Sequence, residues 1–389
     1  MQNPLDYASN VLIYPVATMK ARVQSVSRPN SFWRGASALA LVALLLVAGF
    51  ALWWPDGVDY FFTFRPVARG FLSGETRLYD EASLGFYNAP WTLLILVPFG
   101  LLSFSLGQAV LNTLSLGIIA STSFFLQAAR RIPPLFVVLS MVNLHTVDVL
   151  FRGQVDALAL LGVLLGWLGV RNHRPYALSW GLWFIAIKPN NLLLVVLVFA
   201  LAVRRWPWRD WLRAVSIPAA SFALSLLVVG LDWPLRYIEN YRVHGPPRYL
   251  SVTTWRALDQ AGLPAEPFWP VAALLVIAVL VFAYRAGLTE HTLILALTTN
   301  LLVSPYVVGN HLIYLVPAYL LIASRNRWLG VVIFLTTLTP LLRASGVPEW
   351  ATADLLYPSA LWLAGWFYAR RDPGRTAGVP AGEPHSTPA

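Results

Sequence analysis

The chain has 389 residues, 57% of them hydrophobic and 12% charged, with 17 Trp, no Cys and a formal net charge of +10. A soluble domain carries about 25% charged residues, so this composition excludes one, and the lack of Cys excludes structural disulfides and thiolate metal sites. The positive charge is spread over short segments between apolar runs, as in a membrane anchor, so no nucleic-acid partner is expected.

Residues 1–34 form a basic segment with Lys20, Arg22, Arg28 and Arg34, followed by an apolar run from about Gly35 to Trp54. A cleaved signal peptide has a shorter apolar region and an earlier start, so an uncleaved anchor is expected, with the N-terminus cytoplasmic. Further apolar runs occupy roughly 106–128, 132–148, 154–170, 175–187, 190–203, 213–230, 268–285, 290–303, 309–323, 328–342 and 354–369. With the first run they predict an all-α polytopic membrane protein of about twelve transmembrane helices. No ~10-residue alternating segments of a transmembrane β-barrel are visible.

The run "APWTLLILVPFGLLSF" (89–104) is short for a span and holds Pro98. If it crosses, every later Arg-rich loop faces outward. If it lies along the outer interface or re-enters, 18 of the 28 Lys and Arg face inward and 13 of the 18 acids outward. The positive-inside rule favours the second arrangement. It makes 55–105 one large external loop with interfacial or re-entrant helices and 231–267 a further external loop. Both termini are then cytoplasmic, with 371–389 a disordered tail after a membrane domain at 35–370. Several runs near 14 residues are shorter than a straight crossing, as broken or tilted helices would be. "FIAIKPNNLLLV" is an example, interrupted by Lys188, Pro189 and two Asn.

On this topology unusual polar groups collect on the external face: Asp56, Asp59, Arg65, Arg69, His145, Asp148, Arg152, Gln154, Asp156, Lys188, Tyr306, Asn310 and His311. An ionisable group near the apolar core costs about 3 kcal/mol on insertion scales, so it has a partner or a purpose. Each also has a plain structural reading. Asp59 caps an interfacial helix, Lys188 snorkels to headgroups, His311 is a satisfied core histidine, and Arg152 pairs with Asp148 or Asp156. Their arrival on one face from separate loops is the stronger signal.

Four stretches carry a family resemblance: "VDYFFTFRPVARGFLSGETRLYD" (58–80), "FYNAPWTLLILVPFGLL" (86–102), "RGQVDALALLGVL" (152–164) and "SPYVVGNHLIYLVP" (304–317). In order and content they resemble the GT-C class of membrane glycosyltransferases, and within it glycosyltransferase family 87, the polyprenyl-phosphate-mannose-dependent α-mannosyltransferases. The chain departs from that family's pattern at Asn88 and Ala89, at Asp156 in place of Asn, and at Asn310 in place of the first His of a pair.

The resemblance implies a GT-C-like helical bundle in the plasma membrane. Its active site is extracytoplasmic, and it moves a hexose from a polyprenyl-phosphate sugar to a glycolipid or glycan hydroxyl. Such transfer needs a base for the acceptor proton and cations or donors for the departing phosphate. Asp59 matches the family's catalytic Asp; Asp56 is the weaker candidate, because Gly57 favours a turn there. Lys188 and His311 suit the phosphate, with Arg152 and Arg69 as further cations and Gln154, Asp156, Asn310 and Tyr306 as other site candidates. No acid adjoins Lys188 or His311 in sequence, which leaves them as unpaired cations seeking an anion. No cofactor or metal is required, although the Asp56/Asp59 pair could hold a divalent ion. Two other enzymes stay open, an arabinofuranosyltransferase and another GT-C enzyme, and so do two other classes, a twelve-helix transporter and a lipid-binding scaffold.

Overall fold

A computed structural model describes residues 29–79, 85–188, 191–245, 251–344 and 348–371. The basic stretch before residue 29 and the tail beyond residue 371 lie outside the described residues, as do Pro189 and Asn190. The described residues form helices and no strand. Four helices are long and apolar enough to cross a membrane: α1 (Pro29–Trp53, through its segment Arg34–Trp53), α4 (Phe104–Arg130), α10 (Trp208–Val229) and α13 (Phe268–Ala286). A fifth candidate is the pair α5 (Pro134–Val142) and α6 (Leu144–Arg152), bent by 42°. The run at 132–148 is therefore not one straight element. Asn143 breaks it by capping α6, its side chain accepting from Thr146 N at 2.9 Å. That satisfies an N–H the bend leaves without a helical partner.

Among the described residues between α1 and α4 lie α2 (Arg65–Leu72), continued backwards by a π-helical turn at Tyr60–Phe64, and α3 (Leu93–Gly100), preceded by a 3-10 turn at Pro90–Thr92. Even with these turns each is about 16–20 Å long at 1.5 Å per residue, against a hydrocarbon core of about 30 Å, so neither spans alone. They pack on each other where Gly100 meets Ala68; a Cβ on Gly100 would approach that of Ala68 to 3.0 Å. Trp91, Leu93, Leu96 and Phe99 are buried, so this apolar stretch covers the protein core rather than leaving it.

The centre is built from α7 (Asp156–Arg171), α8 (Pro175–Ile185), α9 (Leu193–Ala202), α14 (Glu290–Val303) and α15 (Val316–Arg325). Helices α7 and α8 form a tight antiparallel hairpin because glycines face each other across it. A Cβ on Gly181 would meet Gly166 N at 2.4 Å, and one on Gly169 would meet Leu178 N at 2.4 Å. Small residues allow backbones this close, and packing then replaces the hydrophobic drive that a membrane lacks. Helices α14 and α15 are buried along nearly their whole length. By contrast α1, α10 and α13 expose Leu39, Leu44, Leu224, Leu227, Leu274 and Ile277. A buried polar centre inside an apolar outer layer is the distribution expected of a protein in lipid.

Candidate functional site

The stretch after α1, "WPDGVD", is held against the end of α6 by side-chain hydrogen bonds. Trp54 Nε1 donates to Leu150 O at 3.0 Å. Gln108 on α4 clamps the turn from both sides, donating to Pro55 O and accepting from Gly57 N, each at 2.9 Å. Two glycines let the strands of chain touch. A Cβ on Gly57 would lie 2.7 Å from the Arg152 carbonyl, and one on Gly153, at φ +67°, would lie 2.7 Å from Tyr60 Cβ. This contact carries Asp59 to the loop between α6 and α7.

There Asp59 Oδ2 accepts from Gln154 Nε2 at 2.7 Å and lies 3.9 Å from Arg152 Nη1. Arg152 is held from behind by Asp148, Nε to Oδ1 at 2.9 Å, one helical turn earlier. Asp59 and Arg152 side chains are each 27% exposed. Gln154 Oε1 accepts from Lys188 Nζ at 2.9 Å. Lys188 Nζ is in turn 2.9 Å from Asp156 Oδ2, and Asp156 is fully buried. Asp156 also accepts from Asn310 Nδ2 at 2.6 Å and from the Tyr314 hydroxyl. A buried carboxylate held by an ammonium and two neutral donors meets the condition for a tolerated buried charge.

Lys188 is therefore not an unpaired cation, which corrects the expectation from sequence. Its acid is 32 residues away in the chain, across the open end of the α7–α8 hairpin. His311 is buried beside this pair, Nε2 lying 3.8 Å from Asp156 Oδ1 and 3.4 Å from Lys188 Nζ. Its Nδ1 accepts from Val308 N at 3.2 Å, so the neutral ring carries its proton on Nε2. That proton points at Asn191, whose Nδ2 is 3.1 Å away and whose Oδ1 has no hydrogen-bond partner among the described residues. Turning the Asn191 amide over puts Oδ1 on the Nε2 proton and removes the conflict of two donors.

Tyr306 lies edge-on to His311 at 6.0 Å, and its hydroxyl is pushed well above the ordinary tyrosine range by burial and by the Asp59 charge. The segment containing Asn88 and Ala89 joins from another side, Ala89 N donating to Ile187 O at 3.1 Å. The structure thus brings together Asp59, Asp148, Arg152, Gln154, Asp156, Lys188, Tyr306, Asn310 and His311.

Two candidates lie apart from them. Asp56 is exposed, and among the described residues it takes no part in these contacts. The Arg69 side chain is exposed, and its Nε donates to Gly100 O at 3.2 Å. Burial pushes the nearby Tyr60 phenol up to about 12, with Arg65 and Arg69 pulling against it. His145, also singled out in the sequence, is buried and stacked on Tyr357 at 5.3 Å. No group of three or more His, Asp or Glu among the described residues is placed to hold a metal ion.

Sequence reasoning missed Gln108, Asn191, Asn300 and Tyr314. Asn300 on α14 secures the Lys188 loop, donating to Asn191 O and accepting from Leu194 N at 2.9 Å. An Asn inside a long apolar helix was the available signal for it.

No family model, curated protein or solved structure matches the chain.

Proposed function

We propose that this protein is a membrane glycosyltransferase of the GT-C type. In this reading it transfers a hexose, most simply mannose, from a polyprenyl-monophosphate sugar to a hydroxyl of a glycolipid or glycan. The observation that carries the proposal is the state of Asp59: half-exposed, with Oδ2 held by Gln154 and faced by Arg152, while Oδ1 makes no hydrogen bond to the described residues. Oδ1 takes the proton from the acceptor hydroxyl as its oxygen bonds to the anomeric carbon. The bond from that carbon to the phosphate oxygen breaks with inversion, and the phosphate leaves with the electron pair. Arg152, the half-buried cation beside Asp59, stabilises the charge on the leaving phosphate, while His311, buried with its Nε2 proton on Asn191, holds the loop that carries Lys188. Lys188, committed to Asp156, supports the site from behind.

Asp156 and Asn310, two positions where the chain departs from the family pattern, are hydrogen-bonded to each other at 2.6 Å. The proposed topology, with twelve crossings, both termini cytoplasmic and the Asp59 end extracytoplasmic, is supported by the four helices, or five with the bent pair, that are long and apolar enough to cross a membrane.

Purified protein in liposomes, given radiolabelled polyprenyl-phosphate mannose and a panel of glycolipid acceptors, should transfer label. Asp59→Asn should lower turnover by about 10²–10⁴-fold with donor binding kept, and Asp56→Asn should be nearly silent. Equal loss in both variants would move the chemistry to a shared carboxylate site. Transfer only from a polyprenyl-phosphate arabinose would select the arabinofuranosyl reading. A second class, a proton-coupled carrier, draws on the fully buried Asp156–Lys188 pair; it predicts solute uptake into the liposomes that Asp59→Asn leaves intact.

A further inference from the structure

The amide of Gln154 has only one workable orientation. Its Oε1 faces two donors, Lys188 Nζ at 2.9 Å and Val155 N at 3.4 Å, so the end that meets Asp59 Oδ2 at 2.7 Å is the N–H end. Lys188 is kept from swinging away because its ammonium is bound to Asp156, which is fully buried and is itself fixed by Asn310 and Tyr314. Four side chains thus alternate acceptor and donor from the core to the half-exposed carboxylate: Asp156, Lys188, Gln154, Asp59.

We infer that Gln154 is a positioning residue through which the buried Lys188–Asp156 pair fixes the Asp59 carboxylate, occupying Oδ2 and leaving Oδ1 as the oxygen that takes a proton. The catalytic part of this inference rests on the reading of Asp59 as a base, while the positioning part does not. Without the amide, the Asp59 carboxylate is restrained among the described residues only by Arg152, at 3.9 Å. Carboxylate torsions are broad, so its two oxygens then exchange freely. The charged and titratable groups facing Asp59 are Arg152, with Asp148 behind it, Tyr306, and Lys188 through Gln154.

The test uses three variants of the full chain. Gln154→Met keeps the length and volume without the donor. Gln154→Asn keeps an amide that is one methylene too short to reach Lys188 and Asp59 together. Gln154→Glu sets a second carboxylate against Asp59, and two carboxylates sharing a site raise the proton affinity of one. Infrared difference titration of the purified protein, with Asp59→Asn identifying the Asp59 band, reads the carboxyl directly and needs no substrate. Gln154→Glu should move the midpoint of that band upward by about one pH unit or more. Gln154→Met and Gln154→Asn should broaden the band as the two oxygens become equivalent.

In the transfer assay, Gln154→Met should lower kcat about tenfold, a share of the general-base contribution, with KM for the donor unchanged. The acid limb for Gln154→Glu should follow the infrared midpoint. Infrared bands unchanged in all three variants, with melting temperatures unchanged, would overturn the inference. Shifted bands in a protein that transfers no sugar would uphold the positioning role and defeat only the enzymatic reading.

Discussion

The two ends of the helical bundle carry charge in opposite ways. Around Asp59, apart from the exposed Asp56 and Arg69, polar and charged groups are buried or half-buried and satisfy one another across segments far apart in the chain; Asp59 and Gln154 are 95 residues apart, and Asp156 and Asn310 are 154. At the other end, Arg131, Arg171, Arg174, Arg205, Arg209 and Arg285 are exposed. The acids there among the described residues are Asp210 and Glu290, both bound to arginines: Asp210 to Arg213, and Glu290 to Arg130 and Arg325. Excess positive charge at a surface is what a membrane anchor uses, and it tolerates sliding and exchange. A closed set of buried partners fixes positions to within a hydrogen bond, which is what a site needs. The contrast between the ends is therefore one of satisfaction, not of charge content.

The largest effect expected from this contrast is all-or-none, and it tests whether the ends lie on opposite sides of a membrane. The chain has no Cys, so single cysteines report without background. Ser105→Cys, exposed at the start of α4, should react with an impermeant maleimide in intact cells. Arg171→Cys, exposed at the end of α7, should react only after permeabilisation. The reverse pattern would invert the orientation and with it the extracytoplasmic site.

Next in size is the buried pair. Asp156→Ala strands Lys188 inside the protein and should cost about 3–5 kcal/mol in detergent unfolding. Asp156→Leu combined with Lys188→Met should restore part of that stability, because it removes the stranded charge but leaves Asn310, Tyr314 and Gln154 without their partners. If the double variant is no more stable than Asp156→Ala, Lys188 is held by something other than its acid.

The helices were legible in the sequence because apolar runs bounded by Pro, Gly and Arg are long-range signals that packing does not overrule. The bend at Asn143 was not, since an Asn following an apolar helix reads equally as a polar residue inside a longer helix and as the cap of a new one. The convergence of polar groups was legible too, while the pairing of Lys188 was missed by looking for an acid close by in the chain. An antiparallel hairpin sets the first residue of one helix beside the last turn of the next. Asp156 opens α7 and Lys188 follows α8, so the partnership was implicit in the two helices. The same geometry joins Glu290, at the start of α14, to Arg325, at the end of α15. The clamp of Gln108 on the turn at Gly57 left no trace in the sequence, because it joins two segments with no shared period.

That clamp gives an intermediate effect. Gly57→Ala puts a methyl group 2.7 Å from the Arg152 carbonyl, a backbone atom that cannot rotate aside. The expected cost is about 1–3 kcal/mol of overpacking strain. In the infrared titration the Asp59 band should broaden as it does without the Gln154 donor, since the turn must lift away from the loop between α6 and α7. An unchanged band with unchanged stability would show that the turn has room to spare.

The smallest effect belongs to the opposite end. The Arg213 side chain is 52% exposed, and its Nη1 lies 2.9 Å from Asp210 Oδ1, one turn away on α10. Exposed pairs of this kind contribute about 0.2–1 kcal/mol and weaken with salt, since water solvates both ions and two long side chains lose freedom. Asp210 also keeps a second partner, His173 Nε2 at 3.1 Å, so Arg213→Ala leaves no stranded charge. The expected loss is about 0.5 kcal/mol at low salt, falling further at high salt, with transfer activity unchanged. The same unfolding measurement applied to Arg213→Ala and Asp156→Ala compares an anchor with a site in one scale. A loss at Arg213 as large as that at Asp156 would mean that the opposite end is also a fixed polar network, and the distinction between the ends would fall.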